Sequence, residues 1–339
     1  MTQEQIARIA KVSQSTVSRV LAGDERVEPR IRDRVAAVML EHNYRPDVRA
    51  RSLRNKTTGM VGLVVKRPHG GLSDDPFFAN LLAALVGVLS ENGRHLCVDL
   101  VQSASGQEAV YDEMLRSRRV DGLILVEPEA KDERIHRLQR EGFPFVLIGN
   151  PDDAGKLWSV DNDNVAAGAL AAQHLLDRGY RRIAMLAGPE GVSVSSDRIE
   201  GYRSTLRRAG LHPRVWHSEF GCEAAASVAA EALRDPMAVD SLVVLDDFMA
   251  MGAIQAARSL GRSLPGQLGL VSFNDSRLCD LLECGLSSVS LNLEKLVGAA
   301  CARLLSIIDG RDPEGPRRLL VPCELHVRGS SAGPLEATG

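Results

Sequence analysis

The chain has 339 residues, of which 44% are hydrophobic and 25% charged, and its net charge is −3. This composition can bury a core, and the length is too great for one ordinary domain, so two or three domains are expected. The longest apolar run, near residues 81 to 89, is too short to cross a bilayer, and the N-terminus lacks the pattern of a signal peptide. We therefore expect a cytoplasmic protein of two or three domains with no membrane partner.

The cysteines give no sign of a metal site or a disulfide framework. None falls in a C-x-x-C pair, and no histidine lies at a ligand spacing beside them. We expect free thiols in a reducing compartment and neither a metal nor a cofactor. The six residues are Cys97, Cys222, Cys279, Cys284, Cys301 and Cys323.

Charge is distributed unevenly along the chain. Residues 1 to 57 hold 12 Lys and Arg against 7 Asp and Glu, whereas the remaining residues hold 29 against 37. A basic N-terminal segment on an acidic body is suited to a polyanionic partner at one end only.

Residues 5 to 21 predict two short helices joined by a tight turn. Thr2 and Gln5 have the spacing of a capping box, and Ser13 is a good N-cap for the second helix. Apolar residues recur at helical spacing on one face of each helix. The outward positions of the second helix carry hydrogen-bonding side chains: Gln14, Ser15, Thr16, Ser18 and Arg19.

Such a helix is suited to the major groove of DNA. Gln can pair with two edge atoms of adenine, and Arg can pair with O6 and N7 of guanine. A third helix, from Pro29 to about His42, would close a small helical head. The alternative is a generic helical pair attached to a larger domain.

The next segment, YRPDVRARSLRNKTTG, is basic and too small to bury itself. One interpretation is a solvated linker. The other is a hinge that folds on DNA, with Arg49 and Arg51 on phosphates and Leu53 wedged into a base step of the minor groove. Its position directly after the candidate head favours the second interpretation.

From Met60 onward, strands alternate with amphipathic helices. The pattern restarts after a connector near Trp158, and each series has about four strands. Two such series predict two doubly wound parallel-sheet lobes, in which ligands lie outside the carboxyl ends of the strands. A late helix and an extended run, LLVPCELHVR, complete the body, and we expect the segment from Gly329 to be frayed.

Several stretches resemble the lactose/galactose repressor family of bacterial transcription regulators. They include AKVSQSTVSRVLAG, NYRPDVRARSL, VDNDNVAAGALAAQHLLDRGYRRIAMLAGP and DDFMAMGAIQAARSLGRSLPGQLGLVSFND. The resemblance covers nearly the whole chain in order. It implies an all-α helix-turn-helix head, a hinge helix and an α/β two-lobed effector domain like that of periplasmic sugar-binding proteins. It also implies a homodimer on a palindromic operator, with operator affinity controlled by a small effector.

The resemblance suggests the following domain boundaries. The head would cover residues 1–45, the hinge 46–57 and the body 58–330, followed by a flexible tail at 331–339. Within the body, the first lobe would take about 58–160 with 291–318, and the second about 161–290 with 319–330.

The resemblance also places site residues. Gln14, Ser15 and Arg19 stand where the family reads bases, and Leu53 stands at the minor-groove wedge. Ser13 and Thr16 complete the predicted major-groove set, and Arg49 and Arg51 complete the predicted minor-groove set. The residues implied for the effector lie near strand ends: Asp75, Phe77, Phe78, Arg198, Phe220, Asp246, Asp247 and Asn274.

The chemistry of the implied effector residues suits a sugar. An arginine fork and carboxylates can each hold adjacent hydroxyls, and a phenylalanine ring can cover an apolar sugar face. Alternatives remain open for three kinds of residue. Phe77 and Phe78 could pack in the core, Asp247 could cap a helix, and Arg198 could pair with an acid of its own helix.

Three residues depart from the family pattern. Lys11 stands at a turn position where the family often has Gly, and a left-handed conformation would cost it ~1 kcal/mol. Asp246 replaces an Asn, and Asn274, which precedes Asp275, replaces an Asp. These two exchanges move a carboxylate from one side of the pocket to the other, so the resemblance does not identify which sugar binds.

We therefore expect a ligand-controlled repressor that responds to a sugar or glycoside. The alternatives are the same regulator with a purine or nucleoside corepressor, or a solute-binding protein. An enzyme is disfavoured because the chain lacks a nucleophile elbow, a P-loop and an HExxH motif, and we assign no catalytic residue.

Overall fold

A computed structural model describes residues 1–21, 24–44, 57–66, 76–128, 132–150 and 156–333. The chain divides after Gly59 into a head, Met1–Gly59, and a body, Met60–Gly339. Apart from its last residue, the hinge predicted for residues 46–57 lies outside the described residues.

The described residues of the head form three helices: α1 (Gln3–Ile9), α2 (Gln14–Leu21) and α3 (Pro29–Glu41). The predicted capping box is present, because Gln5 N–H donates to Thr2 Oγ1 and Thr2 N–H donates to Gln5 Oε1. Apolar side chains of the three helices form one small core: Ile6, Ala7, Ala10, Val17, Val35 and Val38.

The turn between α1 and α2 has the strain expected from the sequence. Lys11 has a φ of 52°, in the left-handed region that favours glycine. Ser13 then begins α2 as predicted, since its Oγ accepts a hydrogen bond from Thr16 N–H at 3.1 Å.

The part of the body that the structure describes forms two six-stranded sheets. The first has the order β11–β5–β4–β3–β1–β2 and is parallel throughout. Its strands are β1 (Met60–Lys66), β2 (His95–Val101), β3 (Gly122–Val126), β4 (Phe145–Ile148), β5 (Ser159–Asn162) and β11 (Arg318–Val321). Around it lie α4 (Pro76–Glu91), α5 (Ala104–Ser117), α6 (Glu133–Arg140) and α12 (Leu293–Ile308).

The second sheet has the order β12–β10–β9–β8–β6–β7, and only its edge strand β12 is antiparallel to its neighbour. Its strands are β6 (Ile183–Ala187), β7 (Arg214–His217), β8 (Ser241–Val244), β9 (Gly269–Phe273), β10 (Ser287–Ser290) and β12 (Glu324–His326). Its helices are α7 (Asn164–Asp177), α8 (Ser193–Arg208), α9 (Cys222–Ala232), α10 (Asp247–Ser259) and α11 (Leu278–Leu281).

Helices cover both faces of the first sheet, as expected for a doubly wound lobe. Leu63 and Val65 of β1 pack with α4 and α12, whereas Val64 between them packs on the opposite face with α5 and α6. This alternation follows from the two-residue period of a strand.

The lobe boundaries differ in detail from those predicted. The connector expected near Trp158 forms β5 and belongs to the first sheet. The final extended run splits into β11 and β12, which join different sheets, so residues 319–321 belong to the first lobe and not the second. Pro322 lies between the two strands and has no N–H to continue a ladder.

The start of the predicted flexible tail is instead ordered by packing. Residues Gly329–Ser331 form a 3₁₀ turn, and the side chains of Ser330 and Ser331 are fully buried. Ser330 Oγ donates to Leu270 O at 2.7 Å and accepts from Ser287 N–H at 2.9 Å. The prediction of a frayed tail was wrong for Gly329–Ser331, because Ser330 and Ser331 complete the hydrogen bonding of the second sheet. Residues 334–339 lie outside the described residues.

Candidate DNA-binding and effector sites

The N-terminal part of α2 presents polar side chains to solvent. Ser13, Gln14, Ser15 and Arg19 are exposed, and Thr16 is half-buried. Ser18 is only 8% exposed, so its prediction as an outward residue was wrong. It follows Val17 on the side of α2 that faces the head core, and its short side chain fits there.

The hydroxyl groups at the start of α2 are linked to one another. Ser13 Oγ lies 2.7 Å from Ser15 Oγ and 2.8 Å from Thr16 Oγ1. Gln14 Nε2 donates a hydrogen bond to Gln3 Oε1 of α1 at 3.0 Å. Short polar groups on an exposed helix face match the requirements of a helix in the major groove.

Four predicted site residues lie outside the described ranges. They are the hinge residues Arg49, Arg51 and Leu53, and the effector residue Asp75.

Arg198 occupies the centre of a polar cluster at the carboxyl ends of the second lobe's strands. Its Nε donates to Asn164 Oδ1 at 3.0 Å, and its Nη1 donates to Leu245 O, just after β8, at 2.8 Å. The guanidinium carbon lies 4.3 Å from the centroid of the Phe273 ring, at the end of β9. Among the described residues, Nη2 has no hydrogen-bond partner.

Burial of Arg198 has an electrostatic cost. The residue is 4% exposed, and burial lowers its pKa to about 10, while nearby carboxylates including Asp246 and Asp161 oppose that shift. Arg198 therefore stays charged at neutral pH. Neither acid of its own helix considered from the sequence, Asp197 or Glu200, pairs with it in the described part of the chain.

Two glycines place α8 close to α7. A Cβ on Gly168 would overlap the carbonyl oxygen of Arg198, and one on Gly201 would overlap that of Val165. The two helix backbones can approach this closely only because both positions lack a side chain. This contact fixes the depth of Arg198 in the lobe.

Asp246 and Asp247 have different roles despite being adjacent. Asp246 is half-buried and caps α10 by accepting a hydrogen bond from Met249 N–H at 2.7 Å. Asp247, expected from the sequence as a cap or a ligand, is 1% exposed. The cap is therefore one residue earlier than predicted.

The carboxylate of Asp247 connects the ends of several strands. It accepts from Ser272 Oγ at 2.5 Å, from Ser288 Oγ at 2.8 Å and from Ser276 N–H at 2.7 Å. These donors belong to β9, β10 and the loop after β9. The arrangement holds that loop, and no signal in the sequence marked the three serines as its partners.

The loop after β9 has two consecutive residues in the left-handed region. Asn274 has a φ of 99° and Asp275 a φ of 50°. Asp275 contacts His326 Nδ1 at 2.5 Å and Arg328 Nη1 at 2.8 Å, so its carboxylate binds the C-terminal strand. Asn274 is half-buried, and its side chain makes no hydrogen bond to any described residue.

The three predicted aromatic residues lie in different environments. Phe78 is 2% exposed within the core of the first lobe, so it packs in the core, which was one of the two alternatives left open by the sequence. Phe77 is half-buried, with its ring centroid 5.5 Å from that of Phe78. Phe220 is 51% exposed, and its ring lies beside Gly188, just after β6.

Four polar residues near Arg198 were missed from the sequence. Asp161 of β5 accepts from Asn162 N–H at 2.8 Å and from Asn164 Nδ2 at 3.3 Å. Burial raises the pKa of Asp161 to about 6. Asn150, after β4, donates to Asp197 Oδ2 at 3.3 Å and so joins the two lobes. The only available signal was their position just after, or within, a predicted strand or helix start.

None of the helices in the described residues is long and apolar enough to cross a membrane. In the same ranges, no group of three or more His, Cys, Asp or Glu side chains is arranged to hold a metal ion.

Known families match both parts of the chain. Residues 2–47 match the model of bacterial regulatory proteins of the lacI family, and residues 172–331 match the periplasmic binding protein-like domain. The HTH-type transcriptional regulator CelR of Thermobifida fusca is 32% identical over 339 residues, which cover 97% of this chain and 98% of CelR. The chain belongs to the lacI family of bacterial regulatory proteins.

Solved structures of lacI-family regulators share this architecture. The transcriptional regulator CelR–cellobiose complex superposes with a TM-score of 0.75 at 29% identity, covering 97% of this chain and 99% of the other. The lac repressor dimer bound to operator and the anti-inducer ONPF superposes with a TM-score of 0.84 over 98% of this chain and 99% of the other, and at 23% identity it supports the fold alone. The helix-turn-helix head and two-lobed body predicted from the sequence are confirmed, and the protein is a DNA-binding transcriptional regulator.

Proposed function

We propose that this lacI-family regulator is a dimeric repressor that reads a palindromic operator with α2 in the major groove. The side chains that would contact base edges or phosphates are Ser13, Gln14, Ser15, Thr16 and Arg19. Arg49, Arg51 and Leu53 would bind the adjacent minor groove. Leu100 on edge strand β2 and Leu281 on α11 are large apolar side chains, 48% and 79% exposed, that a second copy could cover.

We propose further that a sugar or glycoside bound beside Arg198 controls operator affinity. The observation that carries this proposal is the buried guanidinium, whose Nε and Nη1 are held by Asn164 and Leu245 O. The remaining edge, with Nη2, is pre-organised to donate to adjacent hydroxyls. A buried, rigid donor fork is costly unless it binds something, which favours recognition over a purely structural role.

Residues around Arg198 would supply the other contacts. Asp246 and Asn274 lie just after β8 and β9 and offer a carboxylate and an amide to hydroxyl groups. Phe220 and Phe77 offer ring faces to an apolar sugar surface, and Asp75 precedes Phe77 in the chain. Asp247 and Phe78 are excluded from this set because the Asp247 carboxylate already accepts three hydrogen bonds within the lobe and the Phe78 ring packs in the core of the first lobe. The relative whose structure was solved as a complex with cellobiose makes cellobiose a useful first probe.

Thermal unfolding in the presence of a library of sugars, glycosides, purines and nucleosides tests the proposal. A native-state ligand at 100 times its Kd adds about 2.7 kcal/mol to stability and raises the Tm. A sugar that raises the Tm should also change the affinity of the protein for its operator, which can be obtained by selection from a random DNA library and measured in an anisotropy titration. A purine that does so instead would support the corepressor alternative.

Substitution Arg198→Lys locates the binding site. Lysine keeps the charge but loses the planar fork, so we expect effector affinity to fall by about 10- to 100-fold, on the scale of one to two charged hydrogen bonds. Arg207→Lys, on the exposed face of the same helix, should bind as the unmodified protein does. If both variants bind the ligand alike, the effector site is elsewhere.

The regulator role makes two further expectations natural. A repressor of chromosomal genes works in the cytoplasm. The polar cluster around Arg198 is suited to binding and not to catalysis, since its described residues hold one arginine clamp without a nucleophile–base pair. Incubation with a panel of glycosides should yield no hydrolysis product.

A further inference from the structure

One contact in the head links a proposed base-reading side chain to a different helix. Gln14 Nε2 on α2 donates to Gln3 Oε1 on α1 at 3.0 Å, and the two residues are 11 positions apart. We infer that Gln3 is a positioning residue for base recognition: it orients the Gln14 amide so that Gln14 selects adenine. This inference rests on the proposed reading of bases by Gln14.

The donor inventory of a glutamine amide explains the effect. The amide has two N–H donors and one oxygen acceptor. When Gln3 Oε1 takes one N–H of Gln14, the other N–H and Oε1 remain. Adenine presents an acceptor at N7 and a donor at N6 in the major groove, which is the complementary pair.

Gln3 is well placed to hold this orientation. It is the first residue of α1, and the helix start is fixed by the reciprocal bonds between Thr2 and Gln5. Gln3 is half-buried, whereas Gln14 is exposed. A free glutamine side chain samples many rotamers, and an acceptor fixed to a neighbouring helix reduces that freedom before DNA arrives.

The hydroxyl groups at the start of α2 are held independently of Gln3. Ser13 Oγ contacts the hydroxyls of both Ser15 and Thr16 and caps the helix. Loss of the Gln3 acceptor should therefore leave these groups in place. The expected consequence is a change at one base pair of each half-site and not a general loss of binding.

Selection of bound duplexes from a random DNA library by the full-length protein, followed by sequencing, measures this directly. Gln14→Met identifies the base pair that Gln14 reads, since it abolishes the preference there. Gln3→Met keeps the length of the side chain but removes the acceptor. We expect it to reduce the adenine preference at that pair from about tenfold or more to less than about threefold, on the scale of one bidentate contact.

Two further variants separate positioning from folding. Gln3→Glu restores an acceptor for Gln14 N–H, so the adenine preference should return, although the added negative charge should weaken binding to every duplex. Glu4→Gln, in the same turn, should affect all duplexes alike. Thermal unfolding of all variants should be unchanged, because a hydrogen bond between water-accessible neutral groups adds little to stability.

The outcomes distinguish the two levels of the argument. If Gln14→Met changes no single base preference, the proposed reading by Gln14 is wrong. If Gln14→Met abolishes the preference at one base pair but Gln3→Met keeps the full adenine preference there, Gln14 reads DNA without Gln3 and the inference fails. A loss of preference in Gln3→Met that Gln3→Glu does not rescue would also overturn it.

Discussion

The head and the second lobe of the body use polar side chains in opposite ways. In the head, Gln14, Ser15 and Arg19 lie on one exposed helix face within six residues of chain. In the second lobe, Arg198 and Asp247 are almost completely buried, and their partners come from positions 25 to 47 residues away.

This difference shows how each region can recognise a partner. An exposed face needs only a helix of the right period, since the duplex supplies the complementary surface. A buried polar group must be satisfied inside the protein before it can bind anything, so each one requires a matched set of donors and acceptors. The second lobe should therefore tolerate loss of a polar group much less well than the head.

The most severe test of that expectation is Asp247→Ala. The change leaves Ser276 N–H and two serine hydroxyls without their acceptor in a dry environment, so the free energy of unfolding should fall by about 3 kcal/mol. Denaturant titration at pH 7 measures it.

Asp280→Ala is the matched control for Asp247. The Asp280 side chain is 69% exposed, and its ion pair with Arg328 should contribute less than about 1 kcal/mol. Similar losses for the two variants would remove the contrast between buried and exposed polar groups.

A second test uses the buried carboxyl of Asp161. Burial raises its pKa from 3.8 to about 6, so the folded protein holds the proton more tightly than the unfolded chain does. The stability this provides is complete below pH 3.8 and is lost as pH rises through about 6. The difference between the two pKa values corresponds to about 3 kcal/mol.

Asp161→Asn removes this pH dependence while keeping an oxygen for the N–H of Asn162. The variant should gain stability relative to the unmodified protein as pH rises from 4.5 to 8. Urea titrations at both pH values give the comparison, and a constant difference between the two proteins would contradict the raised pKa.

The smallest expected effect is in the head, at Lys11→Gly. Glycine relieves the left-handed strain at a φ of 52°, which is worth about 1–2 kcal/mol. It also raises the conformational entropy of the unfolded chain, which lowers the free energy of unfolding by about 0.4–1 kcal/mol. The net gain of about 0.5–1 kcal/mol should slow hydrogen exchange of the α1 and α2 amides by about two- to fivefold. Exchange in the body is the internal control and should not change.

Local sequence signals predicted the head in detail. The capping box at Thr2 and Gln5 and the N-cap at Ser13 depend on residues within a few positions of each other, whereas the strained turn at Lys11 was implied by the resemblance to the repressor family. Ser18 was the exception, because a serine is equally acceptable on either side of a helix and only packing decides which side it faces. The alternation of strands and helices likewise predicted two parallel-sheet lobes.

The pocket residues illustrate the limit of such signals. Asp246 and Asp247 are indistinguishable by residue type, yet Asp246 is half-buried and caps a helix, whereas Asp247 is fully buried. Phe77 and Phe78 divide in the same way between a half-buried edge and the core. A one-residue difference along a chain rotates a side chain by about 100° on a helix, and only the surrounding lobe determines which direction leads inward.

By itself, the sequence determined the family, the order of elements and the chemical character of the helix that faces DNA, because these depend on short-range periodicity and on recognisable runs of residues. The tertiary structure alone decided which acids are buried, that Ser330 and Ser331 complete the second sheet, and that Gln3 reaches Gln14. These are contacts between distant parts of the chain, and burial and hydrogen-bond partners exist only once the backbone has brought those parts together.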